Sequence, residues 1–361
     1  MTRPIKVLIN KEALSSNLML LKEKMPNSFL WAVVKADAYG HGLYSLLDVF
    51  NLYCDGLAVL DIPQALEVRR LGWQKSILLI EGFFSADDIS HAIANKIELV
   101  IHSDWQIELL KKNPGKGNLK VHIKCNSGMN RLGFNPEEVE GVKNRLEEIP
   151  GIEVITLVSH FANSDLLPDQ KNDVVTVENQ LRAIGNKGEL LKLCLCNSGG
   201  ILWYPDTKSQ AVRAGIAMYG VSPNPEIKEE SLGLKPVMTL KTKVIAIREI
   251  GPGDSVGYGS KFKANKKMRL AVLACGYADG YPRSISEDAW VGIFGKKCRL
   301  VGAVSMDMMS VDISEVPEVE IGTEAEIWGE FPKVNQVGLW ANTIGYELLT
   351  KLNKRVEKIY Y

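Results

Sequence analysis

The chain has 361 residues, 46% of them hydrophobic and 24% charged, and its 43 Lys+Arg balance its 43 Asp+Glu. That length is too great for one comfortable core and predicts two domains. The zero net charge argues against a nucleic-acid or acidic-membrane partner, both of which call for a basic surplus.

No stretch of about 18 apolar residues is present, so no membrane span is expected. The start, Met1 to Asn10, lacks the long apolar core of a signal peptide. Cys54, Cys125, Cys194, Cys196, Cys275 and Cys298 are scattered; Cys194 and Cys196 form a C-x-C, and no His or Cys pair completes a zinc set. They read as reduced thiols of a cytoplasmic protein without a metal.

In chain order, residues 5–10 read as a short strand and 11–25 as a helix with apolar spacing at Leu14, Leu18 and Leu21. Eight apolar, β-rich runs follow, at 30–35, 56–60, 76–80, 97–101, 119–125, 154–160, 191–196 and 211–216. Helical patterns separate them, clearest at 63–71, 85–95 and 136–146. Continuous apolar strands alternating with helices mean parallel pairing buried on both faces, and eight such units in ~200 residues predict a closed (β/α)8 barrel. The strand at 5–10 is a ninth and is expected to pair with the second domain.

Pro223, Pro225, Glu229, Glu230 and Gly233 read as a linker. Beyond it, β-type runs at 238–248, 269–275, 291–293, 298–304, 309–313 and 324–328, with turns at Gly251–Asp254 and Phe294–Lys297, predict a mainly antiparallel β domain. A last segment, 341–352, reads as helical. The expected division is an α/β barrel over 10–231 and a C-terminal β domain over 232–361, with residues 1–9 pairing with the latter.

In such barrels the chemistry sits at the C-terminal ends of the strands. Lys35 and Tyr39 follow the first strand and Lys124 ends the fifth, before Arg131. Ser159-His160 ends the sixth, Asn197-Ser198-Gly199-Gly200 follows the seventh, and Arg213, Gly215 and Ile216 close the eighth. A lysine at a sheet lip is desolvated, loses its proton more readily and can bond to an aldehyde carbon. The loops after strands seven and eight offer Ser198 Oγ and the amides of 199–200 and 215–216 to a phosphate. An aldehyde with a phosphate handle is pyridoxal 5′-phosphate, the expected cofactor. Taken singly, His160 reads as a core histidine, Arg213 as a salt bridge, Asn197-Ser198 as a helix cap and Gly215 as a turn. Their coincidence on one face carries the reading.

The motifs Ala32-Val-Val-Lys35-Ala-Asp-Ala-Tyr39-Gly-His-Gly42, Ser127-Gly-Met-Asn-Arg131-Leu-Gly-Phe, Ser159-His160-Phe-Ala, Arg213-Ala-Gly-Ile-Ala-Met-Tyr-Gly220, Gly257-Tyr258-Gly259, Gly276-Tyr277-Ala-Asp-Gly-Tyr-Pro-Arg283 and Ser305-Met306-Asp307 stand in order along both predicted domains. Together they resemble the alanine racemases, bacterial pyridoxal-phosphate enzymes that interconvert L- and D-alanine, supplying D-alanine for peptidoglycan. The resemblance implies two catalytic bases, Lys35 for the D-isomer's proton and Tyr258 for that of L-alanine. It also implies a homodimer, because Tyr258 is donated by the neighbouring subunit.

By the same resemblance, Tyr39, Asn197, Ser198, Gly215 and Ile216 hold the cofactor's phosphate end, His160 packs on its ring and Arg213 faces its pyridine nitrogen. Arg131 is expected near the cofactor's phenolic oxygen and the substrate carboxylate, the Met306 N–H meets that carboxylate, and Tyr277 narrows the entrance. Lys124 is expected as a carbamate bracing Arg131. Arg283 is expected to stabilise the Tyr258 phenolate from behind, and Asp307 to complete the Ser-Met-Asp motif. Cys194 stands where many members have a histidine behind the tyrosine base, Ser305 for cysteine, Ala303 for arginine, and Lys354 where some have a phosphate-contacting tyrosine. Broader small-amino-acid specificity, such as for serine, a catabolic role, a decarboxylase of the same architecture and a non-catalytic cofactor-binding module remain alternatives; Tyr258 and Ser305-Met306-Asp307 argue against the decarboxylase.

Overall fold

A computed structural model describes residues 3–115, 117–167, 174–185, 191–207 and 209–361 of the chain. Two compact units result: residues 15–38 with 43–218, and residues 3–14, 39–42 and 219–361. The first strand, β1 (Lys6–Ile9), belongs to the second unit.

The first unit is the predicted barrel. Its strands are β2 (Phe29–Val33), β3 (Gly56–Val59), β4 (Ser76–Leu79), β5 (Ile97–Ile101), β6 (Leu119–Lys124), β7 (Ile152–Val158), β8 (Lys192–Cys194) and β9 (Ala211–Ala214). Neighbours pair in parallel, and β2 closes the ring on β9 from Phe29↔Ala211 to Ala32↔Ala214. Burial on both faces explains the unbroken apolar runs; β3, β5 and β9 are buried throughout. Helices cover the outside and start where their caps dictate. Asp61 accepts from the Gln64 N–H ahead of the helix Ile62–Arg70, and Ser85 with Asp88 forms a capping box ahead of Ala86–Ala94. The third predicted helix begins as a tighter turn, Pro136–Glu138, and continues as Val139–Glu147.

The barrel interior is partly polar. Strands β2 and β6 stand opposite each other in an eight-stranded ring, so the Trp31 and His122 rings, 6.2 Å apart, meet inside it. His122 pairs with Glu98 at 2.8 Å and with Thr156 at 2.6 Å, and Ser76 donates to Glu98 at 2.7 Å. Burial alone would raise the Glu98 pKa, but the His122 and Ser76 hydrogen bonds and the His122 charge overcome it, and the carboxyl titrates below its ordinary range. Gly56 makes room for the indole: a Cβ there would lie 2.4 Å from the Trp31 ring.

The second unit is the predicted β domain. Its strands are β10 (Met238–Ile250), β11 (Ser255–Val256), β12 (Phe262–Lys263), β13 (Met268–Leu273), β14 (Trp290–Ile293), β15 (Lys296–Arg299), β16 (Met309–Asp312), β17 (Glu324–Trp328) and β18 (Glu357–Tyr360). Long β10 pairs antiparallel with β1, β13 and β17. Strand β1 also pairs with β18, in parallel, from Lys6↔Glu357 to Ile9↔Tyr360. Positive φ at Phe294 and Gly295 makes the tight turn that joins β14 to β15.

Three expectations need correction. The segment read as a linker is packed: Glu229 is buried and accepts from Asn335 Nδ2 at 3.0 Å, and Asn335 also donates to Ser222 O. Those bonds draw residues 219–231 into the β unit, so the units divide after Met218 rather than after residue 231. The helix expected over 341–352 is shorter, Gly345–Lys351, and a further helix, Val334–Trp340, stands before it; between them Asn342 turns left-handed and the Thr343 N–H closes on Gly338 O.

Candidate active site

The strand predicted to run to Lys35 stops at Val33. The backbone then makes a left-handed turn, with φ of 52° to 55° at Ala36, Asp37, Ala38 and Tyr39. Four consecutive L-residues there cost about 1–2 kcal/mol each. The turn is tied back by Ala38 N–H on Val34 O, and the Asp37 carboxylate accepts the Leu43 N–H at 2.9 Å. Strain held this firmly is characteristic of sites where a side chain must be aimed. Burial lowers the Lys35 pKa, Glu81 pulls it part of the way back and Arg131 lowers it further, so the amine is a better nucleophile and proton acceptor than a solvated lysine.

Arg213 anchors the floor of the mouth. Its Nη1 donates to Cys194 O at 2.7 Å and to Cys194 Sγ at 3.0 Å. Its Nη2 donates to Ser159 O at 2.5 Å, Leu195 O at 3.1 Å and His160 Nδ1 at 3.2 Å. The Nε–H has no acceptor among the described residues. Cys194, expected as the gap behind the tyrosine base, is instead an acceptor for this guanidinium within the barrel. His160 has two donor neighbours, Arg213 and, at 3.4 Å, Asn197 Nδ2. A neutral imidazole accepts at one nitrogen only, so the shorter, charged contact makes Nδ1 the acceptor and leaves the proton on Nε2. Burial and then the charges of Arg213, Lys124, Arg131 and Lys35 hold the His160 pKa well below its ordinary value, so the ring is neutral.

Lys124 is pushed down to about 7 by burial and then by Arg213 and Arg131. Neither Lys124 nor Arg131 has a hydrogen-bonding or ion-pair partner among the described residues. A cluster of lysines and arginines without carboxylate partners is built to receive anions.

At the predicted phosphate loops, Ser198 Oγ accepts the N–H groups of Gly215 at 3.0 Å and Ala217 at 3.2 Å. Asn197 Oδ1 accepts the Gly200 N–H at 3.1 Å and the Ser164 hydroxyl at 2.6 Å. The amides of Gly215 and Gly200, expected to face an anion, are therefore engaged within the chain. The Ser198 proton has no acceptor among the described residues and remains to be donated, and Ile216, next to Gly215 in sequence, is fully buried. Asn197 is the cap of the short helix Ser198–Trp203, as its plain reading allowed.

The β unit carries the remaining residues. Burial raises Tyr39 to about 12, so its hydroxyl is a proton donor at neutral pH. Its ring lies 5.1 Å from that of Tyr219 and 6.0 Å from that of Tyr346. Tyr346 lies in the helix Gly345–Lys351, and Lys354, the position considered for a phosphate contact, is exposed. Tyr258, 69% exposed, sits in a short turn after β11, with left-handed Gly257 and Gly259 on either side. Arg283 stands 5.9 Å over the Tyr277 ring. Met306 is exposed and Asp307 pairs with Arg355.

The barrel's own groups fit a cofactor with an aldehyde carbon, an anionic tail and a ring nitrogen that accepts a hydrogen bond: the Lys35 amine has a lowered pKa, the Ser198 hydroxyl can donate, and the Arg213 Nε–H has no acceptor among the described residues. Residues 9–223 match the family described as alanine racemase, N-terminal domain, and residues 237–360 that described as alanine racemase, C-terminal domain. The chain is 43% identical over 362 residues to an alanine racemase of Nitrosomonas eutropha, with 99% of each chain covered. It matches the structure of an alanine racemase from Acinetobacter baumannii with a TM-score of 0.93 at 39% identity, covering 100% of both. An alanine racemase of Bartonella henselae, solved with covalently bound pyridoxal phosphate, matches with a TM-score of 0.90 at 28% identity over 99% of each chain. With both halves of its length matched in order, the chain belongs to the alanine racemase family.

Proposed function

We propose that the protein interconverts L- and D-alanine with pyridoxal 5′-phosphate, as a homodimer in the cytoplasm, supplying D-alanine for peptidoglycan. The observation that carries this reading is Lys35, at the head of a strained left-handed turn and near Arg131 and His160, in a chain of this family. Six free cysteines accord with a reducing compartment.

Pyridoxal phosphate, when bound, supplies the aldehyde carbon and a ring that spreads the charge left when the Cα proton departs. Lys35 would hold that aldehyde, and its Nζ would take or return the proton on the D face. Tyr258 Oη, contributed by a second copy of the chain, does the same on the L face. Arg213 cannot accept a proton, so it keeps the ring nitrogen it faces unprotonated. Tyr39 and Ser198 donate to the phosphate with Asn197 and Ile216 beside it, and Gly215 acts through the Ser198 Oγ that its N–H holds. His160 packs on the ring. Arg131 and the Met306 N–H grip the substrate carboxylate, and Tyr277, with Arg283 over it, bounds the entrance. L-alanine added to the cofactor-loaded protein is expected to lose its optical rotation to zero; a rotation that holds steady would sink the reading.

Lys124 carries a carbamate that braces Arg131. Only the uncharged amine adds CO2, and with a pKa of about 7 that form is present above this value and is lost as pH falls through it. At fixed dissolved 13C-labelled CO2, a carbamate carbon resonance is expected to grow between about pH 6 and 8 and to be missing from Lys124→Met. An identical spectrum in the two proteins would reject the modification.

A further inference from the structure

Four charged side chains in the β unit close into a ring that the reaction as described leaves without a task. Asp279 is fully buried. Its Oδ1 accepts from Arg3 Nη1 at 2.7 Å and from Arg355 Nε at 2.8 Å, and its Oδ2 from Arg3 Nη2 at 3.2 Å and from the Gly276 N–H at 2.9 Å. Arg355 Nη2 also donates to Asp307 Oδ1 at 2.7 Å, and Arg3 Nη2 to the Asp307 main-chain oxygen at 2.7 Å. Two arginines from opposite ends of the chain thus tie the turn Tyr277–Asp279 to the turn carrying Ser305, Met306 and Asp307.

The two turns interlock through their backbones as well. Tyr277 N–H donates to Ser305 O at 3.1 Å and Ala278 N–H to Met306 O at 2.9 Å. A Cβ on Gly276 would stand 2.3 Å from Ser305 O, so only glycine allows this approach. A trans peptide is planar, with its C=O and N–H pointing opposite ways. Fixing Ser305 O therefore fixes the direction of the Met306 N–H, which has no acceptor among the described residues.

We propose that Arg3 and Arg355 are positioning residues for the reaction: with Asp279 and Asp307 they form three linked ion pairs, closed into a ring by the Arg3 bond to the Asp307 main-chain oxygen, that aim the Met306 N–H at the substrate carboxylate. This rests on the reading of Met306 given above. Neither arginine touches substrate; each acts through the turn it holds. Loss of one leaves the turn free to swing, which weakens carboxylate binding in ground state and transition state alike. The signature is a rise in KM with kcat little changed.

The test uses the cofactor-loaded enzyme and its Arg355→Met variant, measured for kcat and KM with both alanine isomers, for inhibition by propionate, for the visible spectrum of the bound cofactor and for melting temperature. KM and the propionate inhibition constant are expected to rise about tenfold, the loss of a pair of charged hydrogen bonds. The kcat should stay within about threefold and the spectrum should be unchanged. Arg355→Lys, which can reach one carboxylate rather than two, should recover part of the loss. A lower melting temperature with KM and propionate inhibition unaltered would overturn the proposal and leave the ring a purely structural brace. Should Arg355→Met fail to fold, Asp307→Asn, at a half-exposed position, removes the Arg355–Asp307 arm alone and is judged by the same constants. A wild-type enzyme that does not racemise alanine overturns the activity itself; one that does, beside variants of wild-type KM, overturns only the ring.

Discussion

Lys35→Ala is expected to abolish racemisation in both directions, by roughly 10⁴-fold or more, and to remove the covalent hold on the cofactor. Two functions converge on this one amine. In the proposed reaction its lowered pKa favours bonding to the aldehyde carbon, and its place at the head of the left-handed turn would aim it as one of the two proton carriers. Lys124, the other barrel lysine of lowered pKa, ends β6 and does not share the turn. Borohydride treatment of the loaded wild type should fix the cofactor to a peptide containing Lys35, and the variant should show no fixed cofactor. The fold should not suffer. A cation held out of water near Arg131 is an unfavourable group in the native state, so its removal should leave the cofactor-free protein melting at or above the wild type. Wild-type turnover in the variant, or labelling at another lysine, would remove Lys35 from its role.

Much of this architecture is legible in the residues, and the rest fails for identifiable reasons. Strands β2–β9 announce themselves because both faces are buried, and an apolar run has no other economical reading. The turn after β2 does not: Lys-Ala-Asp-Ala-Tyr has ordinary right-handed helix propensity, and only tertiary packing imposes the opposite hand on it. The candidate site residues of the barrel could be placed because each stands at, or in the loop just after, the C-terminal end of a strand. Their hydrogen bonds could not be read in advance. Gly215 looks like a free amide until Ser198 Oγ is seen to occupy it, and Cys194 looks like a missing histidine until its sulfur is found against Arg213. Glu229, in a run of glutamate, proline and glycine, has the composition of a linker; its burial depends on Asn335, over a hundred residues on. The ring of Arg3, Asp279, Asp307 and Arg355 has no local pattern at all, since its members meet only when β1 and β18 are paired.

Tyr258→Phe should lower kcat by about 10²–10⁴, equivalent to roughly 2.7–5.5 kcal/mol of transition-state stabilisation. The substitution removes only the hydroxyl. The aromatic ring stays, and the turn that presents it is set by Gly257 at φ 75°, Gly259 at φ 71° and Ser260 at φ 47°, not by the phenol. KM should change little, because Oη is assigned to proton transfer and not to binding. The sharper consequence lies in isotope exchange. If Lys35 serves the D face and Tyr258 the L face, the variant retains the base that removes the Cα proton of D-alanine. In D2O, D-alanine should go on exchanging its Cα hydrogen for deuterium while L-alanine stops, and neither should convert to the other at an appreciable rate. The two exchange rates, equal partners in the wild type, should separate by the same factor of about 10²–10⁴. Equal loss of exchange from both isomers would mean that the tyrosine acts on both faces or merely shapes the site. Unchanged exchange from L-alanine would mean that another group takes its proton.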